Sequence, residues 1–161
     1  MKLRILFVDK DEYLLNVHRK YFERDGYQVD CAITETDAMA MIFRNQYAAI
    51  VCDLHLDNNG SDERGLLFAS KARTLRPGAA FFIMTSRVSD DFERNARSRG
   101  VYMCLTKPQT LHSIKIALEF AIVPDPLGSI PKQLQPSGQE PFMYFGEPSP
   151  LNRSPVVPQS A

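Results

Sequence analysis

The chain has 161 residues, is 44% hydrophobic, and balances 19 Lys and Arg against 19 Asp and Glu. At about 150 residues per domain, this length suits one domain and a remainder, and its apolar content is enough for a packed core. Formal neutrality excludes a protein that holds nucleic acid by bulk electrostatics.

Cys31, Cys52 and Cys104 are an odd set, each in or beside an apolar run, and no two form C-x-x-C. They read as reduced, buried thiols rather than zinc ligands or disulfides, which suits a cytoplasmic chain. His18, His55 and His112 form no metal-binding pattern. The apolar run Ile5–Val8 is too short for a signal-peptide core, and no window approaches a membrane span, so no membrane partner is expected.

Along the chain, Leu3–Val8 is near-continuously apolar, as in a strand covered on both faces. From Asp11 to Asp25, residues Leu14, Leu15, His18, Tyr21 and Phe22 share one helical face, and Gly26 closes the helix. Gln28–Ala32 is a second strand. Thr34 or Thr36 can cap a helix carrying Ala38, Met41 and Ile42. Residues 48–52 form a third buried strand ending at Asp53. Asp57, Asn58, Asn59, Gly60, Ser61 and Asp62 are turn chemistry. A helix then runs to Leu75, before Pro77-Gly78. Ala80–Met84 is a fourth strand, Ser89–Arg99 a polar helix closed by Gly100, and Val101–Leu105 a fifth strand. Leu111, Ile114, Leu118, Ala121 and Ile122 mark a last amphipathic helix. Strand and helix alternate five times, which predicts an α/β fold: a doubly wound parallel five-stranded sheet.

Ligands of such sheets bind beyond the carboxyl ends of the strands. Asp9, Asp53, Thr85 and Lys107 follow strands one, three, four and five, and would converge there. An aspartate can be a nucleophile toward a phosphoryl group, whose charged oxygens need cations and donors. Lys107 can supply the charge, Thr85 a hydroxyl, and Asp9 a ligand for Mg2+.

The segments Ile5-Leu6-Phe7-Val8-Asp9, Ile50-Val51-Cys52-Asp53-Leu54, Ile83-Met84-Thr85-Ser86 and Leu105-Thr106-Lys107-Pro108 together resemble the receiver domains of two-component response regulators. The resemblance covers about residues 3 to 122. It implies the flavodoxin-like strand order 2-1-3-4-5. It also implies that Asp53 accepts a phosphoryl group from a histidine kinase or phosphotransfer protein. Thr85 would turn toward the phosphate and Lys107 would contact its oxygens. The bond before Pro108 would be cis, and Mg2+ would be held by Asp9, Asp53 and the backbone carbonyl of His55. Output would be protein–protein contact through residues 89–122 or through the tail.

Three positions depart from that family. Lys10 stands where a second acid usually follows Asp9. It can turn inward toward Asp53, where at about 4 Å and a dielectric near 20 the attraction is about 4 kcal/mol before desolvation, weakening or displacing Mg2+. It can instead face solvent while Asp11 substitutes as a ligand, or neither can hold. Cys104 replaces an aromatic that turns inward on phosphorylation, and Tyr102, two residues back, is expected on the same strand face. The loop after Asp53 is long and acidic, and Asp57, Asp62 or Glu63 can lend a carboxylate to the pocket or simply be solvated.

The domain is expected to span residues 1–123 and a disordered tail residues 124–161. Pro77 and Pro108 are the only prolines before residue 124, leaving nine of the 11 for the tail. No output domain is expected in that tail, and Phe142–Phe145 is an aromatic patch that either docks or is merely apolar. The leading expectation is a stand-alone response regulator. The alternatives are a pseudo-receiver that phosphate does not switch, or an aspartate-nucleophile phosphohydrolase with His55 as acid–base. A flavin-binding protein is a further rival, opposed by the acids that follow strand one.

Overall fold

A computed structural model describes residues 2–56 and 61–122. The elements run β1 (Arg4–Val8), α1 (Glu12–Arg24), β2 (Gln28–Ala32), α2 (Glu35–Arg44), β3 (Ala49–Asp53), α3 (Asp62–Leu75), β4 (Ala80–Thr85), α4 (Asp90–Ser98), β5 (Met103–Thr106) and α5 (Leu111–Ile122). All five strands are parallel in one sheet of order β2-β1-β3-β4-β5. The expected fold is therefore the observed one. Residues 57–60, the tail and its aromatic patch lie outside the described residues. No helix among the described residues is long and apolar enough to cross a membrane.

The continuous apolarity of the strands has a simple cause. Successive strand residues point to opposite faces, so a strand covered on both sides needs apolar residues throughout. Ile5 and Phe7 of β1, Val51 of β3 and Phe82 of β4 pack with Leu15, Phe22, Ile114 and Leu118 of α1 and α5. Leu6, Ile50 and Ile83, from the same three strands, pack with Ala38, Ile42, Leu66, Phe68 and Ala96 of α2, α3 and α4. Each fully buried side chain of this size contributes about 1.5–3 kcal/mol relative to exposure.

Local signals set the helix ends. The side chains of Asp11, Thr34 and Ser89 accept hydrogen bonds from the backbone N–H of Leu14, Asp37 and Phe92, at 3.1, 3.0 and 3.2 Å. These bonds satisfy donors that a helix leaves orphaned. Gly26 and Gly100 follow α1 and α4 with φ of 92° and 83°, a left-handed conformation that other residues adopt only with strain.

One packing expectation fails. Tyr102 stacks against Phe82, with ring centroids 5.4 Å apart, in the α1–α5 layer. Cys104 is buried in the opposite layer. Pairing with β4 begins only at Met103, which faces Phe82, so strand alternation does not extend back to Tyr102. At the opposite end of the sheet, Arg4 Nε and the Tyr47 hydroxyl both donate to Asp30 Oδ2 at 2.7 Å, tying β1 and β2 to the segment before β3.

His18 lies on the buried face of α1, as its spacing predicts, and is 3% exposed. Its ring stacks on Phe7 with centroids 4.7 Å apart. Burial pushes its pKa from 6.5 down to about 4, and the positive charge of Lys107 acts in the same direction. The unfolded chain therefore takes up a proton near pH 6.5 that the folded chain refuses until about pH 4. Stability is fully present above pH 6.5 and falls as the pH drops toward 4, by about 3 kcal/mol in all. Urea unfolding measured between pH 7 and 4.5 is expected to show this loss, and His18→Phe, which keeps a ring against Phe7, is expected to remove most of it.

Candidate functional site

The sheet order makes β1 and β3 neighbours, with Val8 opposite Cys52. The next residue of each strand is an aspartate, so Asp9 and Asp53 emerge side by side at the carboxyl edge. They are 6% and 8% exposed. Two buried carboxylates require a cation, and Lys107 provides it. Its Nζ lies 3.0 Å from Asp53 Oδ1 and 3.4 Å from Asp9 Oδ2. Burial lowers the Lys107 pKa, but the hydrogen bond and charge of Asp53, then of Asp9, outweigh that effect and raise it. The two carboxylates therefore more than offset the desolvation that opposes the charged form of the ammonium. Backbone bonds place it there: Lys107 N–H donates to Thr85 O at 2.7 Å, directly after the last β4–β5 pair.

Thr85 ends β4 and is 1% exposed. Its Oγ1 donates to Arg87 O at 3.1 Å and accepts from Arg87 N–H at 3.3 Å. The hydroxyl is thus engaged with the loop leading to α4, and must leave Arg87 to serve a ligand above Asp53. The Lys107–Pro108 bond is cis, as the resemblance implies.

Lys10 does not turn inward. Its side chain is exposed, and the ion pairs of Asp9 and Asp53 are both made by Lys107. Lys107, anchored by β5, already occupies the position between the two acids. Asp11 serves the start of α1. Its Oδ1 caps α1 at Leu14, and its N–H donates to Asp9 Oδ1 at 2.9 Å. His55 Nε2 lies 2.9 Å from Asp62 Oδ1, and Glu63 Oε1 lies 2.5 Å from Arg99 Nη2. These two acids are committed to partners outside the Asp9–Asp53 pair, while Asp57 lies outside the described residues. Cys104 is a core thiol whose pKa burial pushes up to about 12, with Glu93 adding to the shift. That leaves no thiolate at neutral pH to act as a redox handle.

The family's ion, Mg2+, can be tested against the donors present. Asp9 Oδ1 accepts the Asp11 N–H, and Lys107 holds Asp9 Oδ2 and Asp53 Oδ1. Of the four carboxylate oxygens, Asp53 Oδ2 is the one without a hydrogen bond or ion pair among the described residues. No group of three His, Cys, Asp or Glu side chains among the described residues is placed to hold a metal. A divalent ion would have to compete with an ammonium for the same oxygens, so the donor set does not fit it.

Two features escaped the reading of the sequence. The His55–Asp62 and Glu63–Arg99 pairs tie the segments flanking the acidic loop to α3 and α4, and no local pattern announces them. Gly65 is the other. A Cβ there would lie 2.6 Å from Leu54 O and 2.7 Å from Leu54 Cδ1, so α3 can approach the residue after Asp53 only because position 65 lacks a side chain.

A family model described as the response regulator receiver domain matches residues 5–119, and the chain belongs to that family. Among solved structures, the chain is similar to a response regulator from Burkholderia pseudomallei described with a phosphorylated aspartic acid, a calcium ion and citrate. The identity is 28%, over 73% of this chain and 66% of that one, with a TM-score of 0.65. A CheY-like receiver domain protein from Methanospirillum hungatei JF-1 is 26% identical over 74% of this chain and 95% of that one, with a TM-score of 0.64. Among curated proteins, the transcriptional regulatory protein GlrR of Escherichia coli K12 is 25% identical over 118 residues, covering 73% of this chain and 26% of that protein. The match thus spans about a quarter of such a regulator's length.

Gly65→Ala is expected to destabilise the chain by about 1–3 kcal/mol, because the new methyl meets backbone rather than a movable side-chain end. The midpoint of denaturant unfolding measures it. Ala at the exposed Gly78, where an added Cβ meets nothing within 4 Å, is the control.

Proposed function

We propose that this chain is a phosphoryl acceptor in a phosphorelay, with Asp53 taking the group from a histidine kinase or phosphotransfer protein. The carrying observation is the Lys107 ammonium, 3.0 Å from a buried Asp53 carboxylate whose other oxygen has no partner among the described residues. Membership of the receiver family supports the reading, since receiver domains are signalling domains rather than turnover enzymes.

Asp53 Oδ2 attacks phosphorus in line with the donor's nitrogen. The P–O bond forms as the P–N bond breaks, the electron pair leaves with the imidazole, and that ring regains its proton from solvent. The acceptor's roles follow from position. Lys107 donates to a phosphoryl oxygen as charge builds there, and it is already charged and fixed before the group arrives. Thr85 releases Arg87 and donates to a second oxygen. That movement would pull on the loop leading to α4 and carry the signal to residues 89–122, the surface of α4, β5 and α5 proposed to meet a downstream protein. With Cys104 in the core, no aromatic rotation at that place contributes to the change. Asp9 holds Lys107 in line with Asp53 as a positioning residue.

The phosphohydrolase alternative is not favoured, because the family match over residues 5–119 is to a receiver domain. A stand-alone role and any contribution of residues 124–161 belong to the same proposal.

With a small acyl phosphate as donor, the wild type is expected to gain the mass of one phosphoryl group, read by intact mass spectrometry, and Asp53→Asn none. Lys107→Ala is expected to slow uptake by about 100-fold, the scale of losing one oriented donor. Uptake by Asp53→Asn equal to wild type would remove Asp53 from this role.

A further inference from the structure

Lys10 is the exposed cation beside the acceptor, and it makes no ion pair among the described residues. Its backbone follows Asp9 directly, and its flexible four-carbon stem lets the ammonium swing over the mouth of the site. Its neighbours do not hold it back: Asp11 is occupied in capping α1, and Glu12 is exposed in the first turn of the helix.

The charge count at this rim has a chemical consequence. At rest, two buried carboxylates share the ammonium of the half-buried Lys107. When Asp53 becomes an acyl phosphate, its own charge is replaced by a dianionic group, and Asp9 is the remaining carboxylate. Both Asp9 oxygens already have partners, the Asp11 N–H and Lys107. A metal ion arriving with the phosphoryl group would find one anionic protein ligand, already engaged, and two ammonium groups close by. Divalent cations of the Mg2+ type bind through carboxylates together with phosphate oxygens, and a second cation at the same oxygens opposes them.

We propose that this site accepts its phosphoryl group without a divalent metal ion, the ammonium groups of Lys107 and Lys10 supplying the positive charge that the transferred group requires. Lys107 meets it from inside, between the two acids. Lys10 closes over it from the solvent side, and the arriving phosphoryl group is what draws it there. The inference rests on Asp53 being the acceptor. Atoms balance without a co-reactant: one bond to phosphorus forms at Asp53 Oδ2, the bond to the donor breaks, and the donor leaves with the electron pair. The Burkholderia pseudomallei protein, by contrast, is described with a phosphorylated aspartic acid, a calcium ion and citrate.

The test uses the full chain and acetyl phosphate, in excess chelator or in Mg2+, with intact mass followed over time. The wild type is expected to take up one phosphoryl group at the same rate in both buffers. Lys10→Ala should slow uptake by about tenfold or more in both, on the scale of a lost electrostatic contact. Lys10→Asp restores an anionic ligand, and should make uptake at least about tenfold faster with Mg2+ than with chelator, a Lewis-acid gain that the wild type lacks. Calorimetric titration with Mg2+ alone should show saturable binding to Lys10→Asp and none to the wild type. A wild type that is phosphorylated only with Mg2+ overturns the inference and leaves Asp53 as acceptor. Saturable Mg2+ binding by the wild type, lost in Asp9→Asn, overturns it as well. A folded wild type and a folded Lys10→Asp that both stay unmodified in either buffer bring down the acceptor reading itself, and this inference with it.

Discussion

Two carboxylates sit side by side at the edge of a buried sheet, and the ammonium of Lys107 between them makes that placement tolerable. Burying a carboxylate without a partner costs several kcal/mol, and two of them repel. The charge triad reaches across the sheet, because β1, β3 and β5 each contribute one member. It can form only if all three strands end at the same edge, which parallel pairing ensures. The chemistry of the site and the topology of the fold are therefore one constraint.

The core supports that rim from beneath. The two layers hold β1 and β3 so that Val8 and Cys52 are in register, and Asp9 and Asp53 follow without freedom to slip. A shift of one residue would turn every side chain of a strand to the wrong face. Gly65 lets α3 close against the residue after Asp53, while the Glu63–Arg99 pair links α3 to the end of α4. Thr85 has a different status. Its hydroxyl is satisfied by its own loop, so engaging a phosphoryl group requires an exchange of partners rather than a simple addition. In the proposed function, that exchange is the step that would link occupancy at Asp53 to the loop before α4.

Much of this was legible in the residues. Continuous apolar runs of about five residues marked buried strands, and the spacing of Leu15, His18 and Phe22 marked the inner face of α1. Thr34, Ser89, Gly26 and Gly100 announced helix ends by local chemistry that needs no tertiary partner. The four site residues were legible because each ends or directly follows an apolar strand. Tyr102 was misplaced because alternation was extended past the first β4–β5 pair. Lys10 was open between three readings, since a lysine stem can point either way from the same backbone.

By itself, the sequence determined the alternation of elements, the four polar residues Asp9, Asp53, Thr85 and Lys107 at the strand ends, and the positive charge at position 10. These are properties of residue type and local spacing. The tertiary structure alone decided which cation neutralises the acids. Lys107 and Lys10 carry the same charge, and nothing local distinguishes them. The end of β5 delivers Lys107 between Asp9 and Asp53 through the backbone bond to Thr85, and the start of α1 leaves Lys10 in solvent. The decision lies with the sheet, because only pairing between distant strands can bring residues 9, 53 and 107 within hydrogen-bonding reach.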